Sequence, residues 1–370
     1  SAQSWFRLAP AERLPSGAQF VIPPACRPKL DLARGPGMTV WGPALFSVEL
    51  PDSGPAHRSR VDIKLGKLLL SPSVVHAELD VVALGSVMRV SMADASTRVA
   101  MEVACSDQAL GPMTDRLSHP VNVAIAVLEG QATVEMLPNA TAAATATVAG
   151  AQPIVTLRAT EGALVRNGQI SAVQAIAQPA WLEGSAERAV EALAAQDLHR
   201  QWTRETNAEE LLLKWITNRR PENRCLAART LTLMGNWNWL TISGNTLDES
   251  RDRSYWNPVI ELGRQVLAVD ASQVTLLRSA LTQRDRERGP FRAEVWLGLS
   301  RQQLDMGGGK QLVSMLESDQ LMDRVLGIHE LRRITGKDLG YQAGEPSRAA
   351  IQQWQRELAA GALVPASTAP

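Results

Sequence analysis

The apolar residues of this chain change period near residue 180, and that change limits the folds open to it. Before that point, short runs rich in β-branched residues recur, among them QFVI, ALFSVEL, RVDIKL, AELDVVAL, TRVAMEV, VNVAIAVL and ATVEML. In Val61-Asp62-Ile63-Lys64-Leu65 the apolar side chains fall on one face and the charges on the other, as in a strand with one buried side. Clusters of Gly, Pro, Asp and Ser separate the runs, with no helical period between them. Many short strands at close spacing predict a β-sandwich or jelly roll. Asn167-Gly168 lies between ALVR and QISAV and suits a two-residue type I′ hairpin, because both positions need positive φ. The Ala/Thr/Val stretch 140–150 reads as a surface loop or a loosely packed edge strand.

Beyond residue 180 the spacing becomes helical. Helices are expected over 183–204, 208–218, 222–234, 256–268, 271–283, 291–306, 311–316, 321–334 and 347–360. Pro221, Pro258, Pro290 and Pro346 stand near helix starts, where a missing N–H costs nothing. Gly235, Gly336 and Gly361 follow helix ends, where a left-handed cap is needed. A short repeat links two helices: Arg224-x-x-Ala227-x-x-x-Leu231-x-x-Met234-Gly235 matches Arg324-x-x-Gly327-x-x-x-Leu331-x-x-Ile334-Thr335-Gly336. The small residue admits a neighbouring helix, and the apolar positions share its stripe. Two copies fit a HEAT-type array and an irregular helical bundle equally.

Composition supports the same division. Eight of the ten tryptophans lie from Trp181 onward, so the domain boundary is expected at 178–183. There are 14 charges of each sign up to residue 180 and 24 of each sign after it. That neutrality argues against nucleic acid, whose phosphates call for an excess of Lys and Arg. No apolar run is long enough to span a bilayer. Cys26, Cys105 and Cys225 are too few and too scattered for a disulfide framework or a thiolate metal site.

Motifs for catalysis are scarce. His57, His76, His119, His199 and His329 are far apart, and none has a cysteine at metal-ligand spacing. There is no G-x-S-x-G elbow. Met306-Gly307-Gly308-Gly309-Lys310 departs from a phosphate loop, with Gln311 where magnesium needs a hydroxyl, so it reads as a flexible turn. Carboxylate pairs for glycoside hydrolysis come from separate strands and leave no spacing to detect. Trp237 and Trp239 flank Asn238, and Tyr255-Trp256 follows after the polar segment 241–254, which reads as a long surface loop. If exposed, these four aromatics could anchor a protein partner or stack on a sugar; if packed inward, they fill gaps between helices. Trp237, Trp239, Tyr255 and Trp256 are therefore the candidate partner-contact surface.

In the β half, Phe20-Val21-Ile22-Pro23-Pro24, Met38-Thr39-Val40-Trp41-Gly42-Pro43-Ala44, the run from Val61 to Leu70 and the run from Val87 to Ala100 follow one another in order. In the helical half, Arg333-Ile334-Thr335-Gly336-Lys337-Asp338-Leu339-Gly340-Tyr341 precedes Trp354-Gln355-Arg356. In this order of features the chain resembles the FecR-like periplasmic proteins, particularly the large planctomycete-type versions. The resemblance implies a sensing or scaffolding domain outside the cytoplasmic membrane, coupled through one membrane helix to an extracytoplasmic-function sigma factor. The chain departs from that plan in showing neither the membrane helix nor a sigma-binding segment, and it begins at Ser1 without a signal peptide. The family has no catalytic residues to carry over.

The sequence thus predicts an α+β protein: a β-sandwich or jelly roll over 1–180, a HEAT-like or irregular α-helical domain over 181–364, and a flexible tail over 365–370. No cofactor, metal or catalytic residue is expected. The expected role is non-enzymatic interaction with a protein partner at the cell envelope, such as a transporter, an anti-sigma/sigma system or a complex subunit. Nucleic acid is not an expected partner, and membrane contact is expected only through a segment outside this chain. A carbohydrate-binding module or a structural subunit of an envelope complex is the alternative. A hydrolase with dispersed carboxylates is the third reading.

Overall fold

The computed structural model describes residues 5, 7–8, 11–32, 35–50, 58–72, 76–83, 85–105, 121–138, 153–166, 168–183, 189–203 and 206–363. The 140–150 stretch, Asn167 of the expected hairpin turn and the 365–370 tail lie outside the described residues. The chain is α+β, with strands first and helices after, and it divides into two compact units.

The first unit holds the strands β1 (Gln19–Ile22), β2 (Lys29–Asp31), β3 (Gly37–Glu49), β4 (Arg60–Ser71), β5 (Ala77–Ala83), β6 (Ser86–Met92) and β7 (Arg98–Cys105), then β8 (Val121–Glu129), β9 (Gln131–Leu137), β10 (Ile154–Arg158), β11 (Glu161–Arg166), β12 (Gln169–Ile170) and β13 (Gln174–Ala175). Hydrogen bonding is continuous through them, yet they form two layers, because the long β3–β4 hairpin belongs to both. The Arg60–Asp62 end of β4 runs parallel to β5, and β6, β9 and β10 continue that layer. The Gly66–Leu70 end pairs with β7, and β8 and β11 continue the other.

Between the ends the register shifts, and the inward parity of β4 changes with it. Val61 and Ile63 point into the core from one layer, Leu68 and Leu70 from the other. Gly66 allows this crossing. Its φ is +134°, and a Cβ there would stand 2.5 Å from that of Ala44.

The core between the layers is made of Met38, Phe46, Leu79, Met88, Met101, Ile125, Val134, Leu157 and their neighbours, all buried. Each such side chain contributes about 1.5–3 kcal/mol by leaving water. One layer is also covered outside: Trp41, Leu69, Ala100 and Ala126 lie under Trp181, with Ile176 and Leu182 beside them. The Trp41 and Trp181 rings meet edge to face at 5.1 Å. The helix α1 (Ala189–Gln201) belongs to this same unit, and Arg7 bonds to its end through the His199 carbonyl at 3.0 Å.

The second unit contains α2 (Ala208–Trp215), α3 (Pro221–Leu233), α4 (Trp256–Val269), α5 (Gln273–Arg284), α6 (Gly289–Leu297), α7 (Arg301–Gln303), α8 (Gly309–Ser314), α9 (Leu321–Thr335) and α10 (Arg348–Ala359). The helix expected over 291–306 is broken. Gly298 leaves the helical region at φ +92°, and Ser300 opens α7 with a capping box to Gln303. The glycine run is no simple turn either: Leu304–Gly308 makes a π-type turn kinked at Gly307 (φ +106°) and leads straight into α8. Gly336 takes the left-handed cap expected of it.

The short repeat has a structural counterpart. Arg224, Arg292 and Arg324 are each the fourth residue of their helix, α3, α6 and α9. Arg224 forks onto Asp252, and Arg292 binds Asp323 at 2.5 Å. Arg324 donates to the carbonyls of Ser318 and Ala343, both at 2.7 Å. Gly327 fulfils its expected part, since a Cβ there would lie 3.0 Å from that of Met315.

Candidate functional site

The four aromatic candidates are buried, which corrects their reading as an exposed contact surface. Trp237 is 2% exposed and Trp239 0%, each meeting Trp296 edge to face at 5.8 and 6.4 Å. Their indole N–H groups are satisfied internally, by Gln273 at 3.1 Å and by Thr232 at 3.2 Å. Tyr255 and Trp256 are 6% and 8% exposed. The physical reason is area: between short helices with small neighbours, large rings fill volume that nothing else in the segment can fill.

The segment 241–254 is likewise no loose loop. Asn245, Thr246 and Leu247 are buried, and the Asn245 side chain accepts from Leu247 N–H and donates to the Ile242 carbonyl. Arg284 clamps Asp248 at 2.7 Å.

The end of that segment forms one wall of a cleft of about 620 Å³. Ser250, Arg251 and Arg253 come from the turn before α4, and Trp256 and Asn257 from the first turn of α4 itself. The buried Arg224–Asp252 pair holds this turn from beneath. The Trp256 N–H donates to the Thr246 carbonyl at 2.9 Å, which fixes the ring. Tyr255, at the N-cap, gives α4 no side-chain cap.

The floor is one stripe of α9: Val325, Ile328, His329 and Arg332, at the spacing that brings side chains onto one face. The opposite wall is the segment Tyr341–Glu345. Arg332 binds the Tyr341 carbonyl at 2.9 Å, and Arg324 binds that of Ala343 at 2.7 Å. The Tyr341 hydroxyl donates to the Leu316 carbonyl at 2.7 Å, and burial pushes its pKa up to about 12 against the pull of Arg324. A Cβ on Gly344 would lie 3.5 Å from that of Ser250, so the two walls close together at this glycine.

Two carboxylates lie on the helices that carry the cleft. His329 meets Glu261 at 2.7 Å. Burial works to raise the Glu261 carboxyl, but the His329 hydrogen bond and the charges of Arg264 and Arg333 outweigh it and hold it low. Glu330, fully buried, accepts from Arg264 at 2.7 Å, from Arg333 at 2.6 Å and from the Leu299 N–H at 2.9 Å. Burial would raise it too; the two guanidinium groups reverse the direction and keep it ionised.

The cleft therefore presents three guanidinium groups, an imidazole and one indole edge, with Glu345 as the carboxylate of its lining. Such a surface can hold an anionic group by charge-assisted hydrogen bonds. Of the predicted contact residues, the structure brings Trp256 to it and leaves Trp237 and Trp239 elsewhere in the helical interior. Arg251, Arg253 and Arg332 escaped the sequence reading, and His329 was weighed there only as a metal ligand, because these residues come from stretches some 80 residues apart. The only signal was the polarity of segment 241–254. Among the described residues no group of three or more His, Cys, Asp or Glu is arranged to hold a metal, and no helix is long and apolar enough to cross a membrane.

No family model matches this chain, and no curated protein matches it. Two solved structures of a candidate anti-sigma factor from Parabacteroides distasonis are similar to it at 11% identity and a TM-score of 0.28. The matched regions cover 43% and 48% of this chain, and 59% and 64% of those chains. The chain thus spans less than two thirds of their length.

Proposed function

We propose that this chain is a non-catalytic interaction module of the cell envelope, in which the cleft between α4, α9 and the Tyr341–Glu345 segment receives part of a protein partner. The observation that carries this reading is the cleft itself. Its walls are fixed by buried ion pairs and backbone hydrogen bonds, while its rim is polar and open to solvent at Ser250, Arg251, Arg253 and Asn257. A rigid scaffold that presents exposed cations binds without having to order itself first. The order of features shared with FecR-like proteins supports a finer version. In it, the chain is the extracytoplasmic sensing part of a regulator that acts on a sigma factor, and its helical unit is a HEAT-like docking array.

Burial of Trp237 and Trp239 removes the exposed stacking platform on which the carbohydrate-binding alternative rested. The hydrolase alternative needs a carboxylate-lined cleft, whereas the described interior of the sandwich is packed with apolar side chains.

The test places a photo-crosslinking amino acid at Asn257 in the native host, with the same probe at Lys310, outside the cleft, as control. The expected result is a discrete adduct from Asn257 alone, in an extracytoplasmic fraction. Identical adducts from both positions, or none from Asn257, would contradict the reading.

A further inference from the structure

We infer that the occupant of this cleft is an acidic peptide segment, bound through its carboxylates by Arg251, Arg253 and Arg332. The inference rests on the docking reading above and adds the chemistry of the partner.

The charges of the cleft are unequally committed. Arg253 is exposed and has no ion-pair partner among the described residues. Arg251 faces Glu249 at 3.2 Å and Arg332 faces Asp338 at 3.0 Å, but these pairs are solvent-exposed on at least one side. Exposed pairs of this kind contribute little, so an incoming carboxylate can replace them at small cost. Other arginines of this unit that reach carboxylates from inside, Arg224, Arg264, Arg284, Arg292 and Arg333, are buried or largely so and already matched. In the cleft, three guanidinium groups from two elements still reach solvent.

Shape narrows the ligand. The cations stand on two of the three sides, on separate elements, while the apolar lining residues Val325, Ile328 and Trp256 are buried. A chain with carboxylates spaced along it can engage cations on both sides. The whole protein is neutral, so no general basic field would draw an acidic partner.

The experiment is fluorescence anisotropy with the full chain and a short fluorescein-labelled peptide rich in Asp, Glu and Leu. Its Asn/Gln and its Lys counterparts serve as comparisons. The acidic peptide is expected to bind, and to weaken as salt is raised. The Arg251→Glu/Arg253→Glu double variant should weaken binding by about tenfold or more, and Lys310→Glu should leave it unchanged. The milder Arg253→Gln, checked by circular dichroism for an unaltered fold, should weaken it by a smaller factor.

Equal binding of the Asn/Gln peptide would overturn the inference, as would binding unaffected by the double variant. So would inorganic phosphate displacing the peptide at concentrations where the Asn/Gln peptide has no effect, since that is a plain anion site. If the acidic peptide fails to bind while the Asn257 probe still yields its adduct, the acidic chemistry falls and the docking reading survives. If the peptide binds but the adduct is missing, the reverse holds.

Discussion

The two units solve the same problem, a stable interior, with different materials. The described core of the sandwich is apolar; of the buried polar side chains in its strands and turns, Ser59 and Thr97 are uncharged. The helical unit buries Arg224, Asp252, Arg292, Asp323 and Glu330. The difference follows from the elements. Strand ladders satisfy their own backbone groups, so alternation alone can fill the space between the layers. Short helices leave unpaired carbonyls at every end, and the connectors between them need donors. Arginine supplies those donors with a charge attached, so the fully buried ones, Arg224 and Arg292, bring a carboxylate with them, while the half-buried Arg324 serves carbonyls alone among the described contacts. The cleft arises where the connectors of α4 and α9 meet and some of those arginines reach solvent.

The largest test of this contrast removes one partner of a buried pair. Asp323→Ala leaves the Arg292 guanidinium, 0% exposed, without its main counter-charge and should cost about 3–5 kcal/mol, read as loss of helix signal at lower urea. A loss below 1 kcal/mol would show that water reaches the pair. In the sandwich the matching test is steric. Gly66→Ala forces a side chain into the crossing between layers and should cost about 2–4 kcal/mol, seen as a lower melting temperature.

Acid acts with opposite sign on one carboxylate from each unit, Glu330 and Asp62. Glu330 is held below its ordinary pKa, so its contribution is present at neutral pH and disappears as pH falls through the folded value. Asp62, in the sandwich, is raised by burial against the pull of Lys64 and Arg60, with Glu49 adding to the rise. Its folded form keeps the proton longer, so stability increases as pH falls toward the ordinary Asp value. Glu330→Gln should therefore flatten the acid side of the stability profile, and Asp62→Asn should steepen its fall. Urea midpoints from neutral to acidic pH would show both. Asp252 partly offsets the helical trend, since burial raises it despite Arg224.

The smallest effect concerns Tyr341. Its phenol, pushed up to about 12, stays protonated while the unfolded phenol titrates near 10, so stability falls as pH rises above that value. Tyr341→Phe should cost about 1 kcal/mol at neutral pH by losing the bond to the Leu316 carbonyl. It should also remove the late step in the alkaline absorbance titration; a late step that persists would assign it to Tyr255.

Much of the architecture could be read from local pattern. The alternation at Val61, Ile63 and Leu65 and the apolar stripes of α3 and α9 are local, and each became the element it suggested. The layer crossing was hidden because it depends on Gly66 meeting Ala44, more than 20 residues away in the chain. The break at Gly298 was hidden because the apolar spacing runs on through it. The site was the least visible part. Trp237 and Trp239 drew attention as aromatic residues, but aromatic side chains serve cores and surfaces equally, and only packing separates the two. The cleft residues are ordinary arginines, given meaning by neighbours that the sequence does not place beside them.

If this cleft is the receiving surface we propose, an acidic peptide should protect it and leave the rest of the molecule unchanged. Hydrogen exchange of the full chain, with and without saturating acidic peptide, tests it most directly. Slowed exchange is expected, confined to residues 250–257, 325–332 and 341–345, and abolished in the Arg251→Glu/Arg253→Glu variant. Protection on the sandwich strands, or protection that survives in that variant, would contradict it.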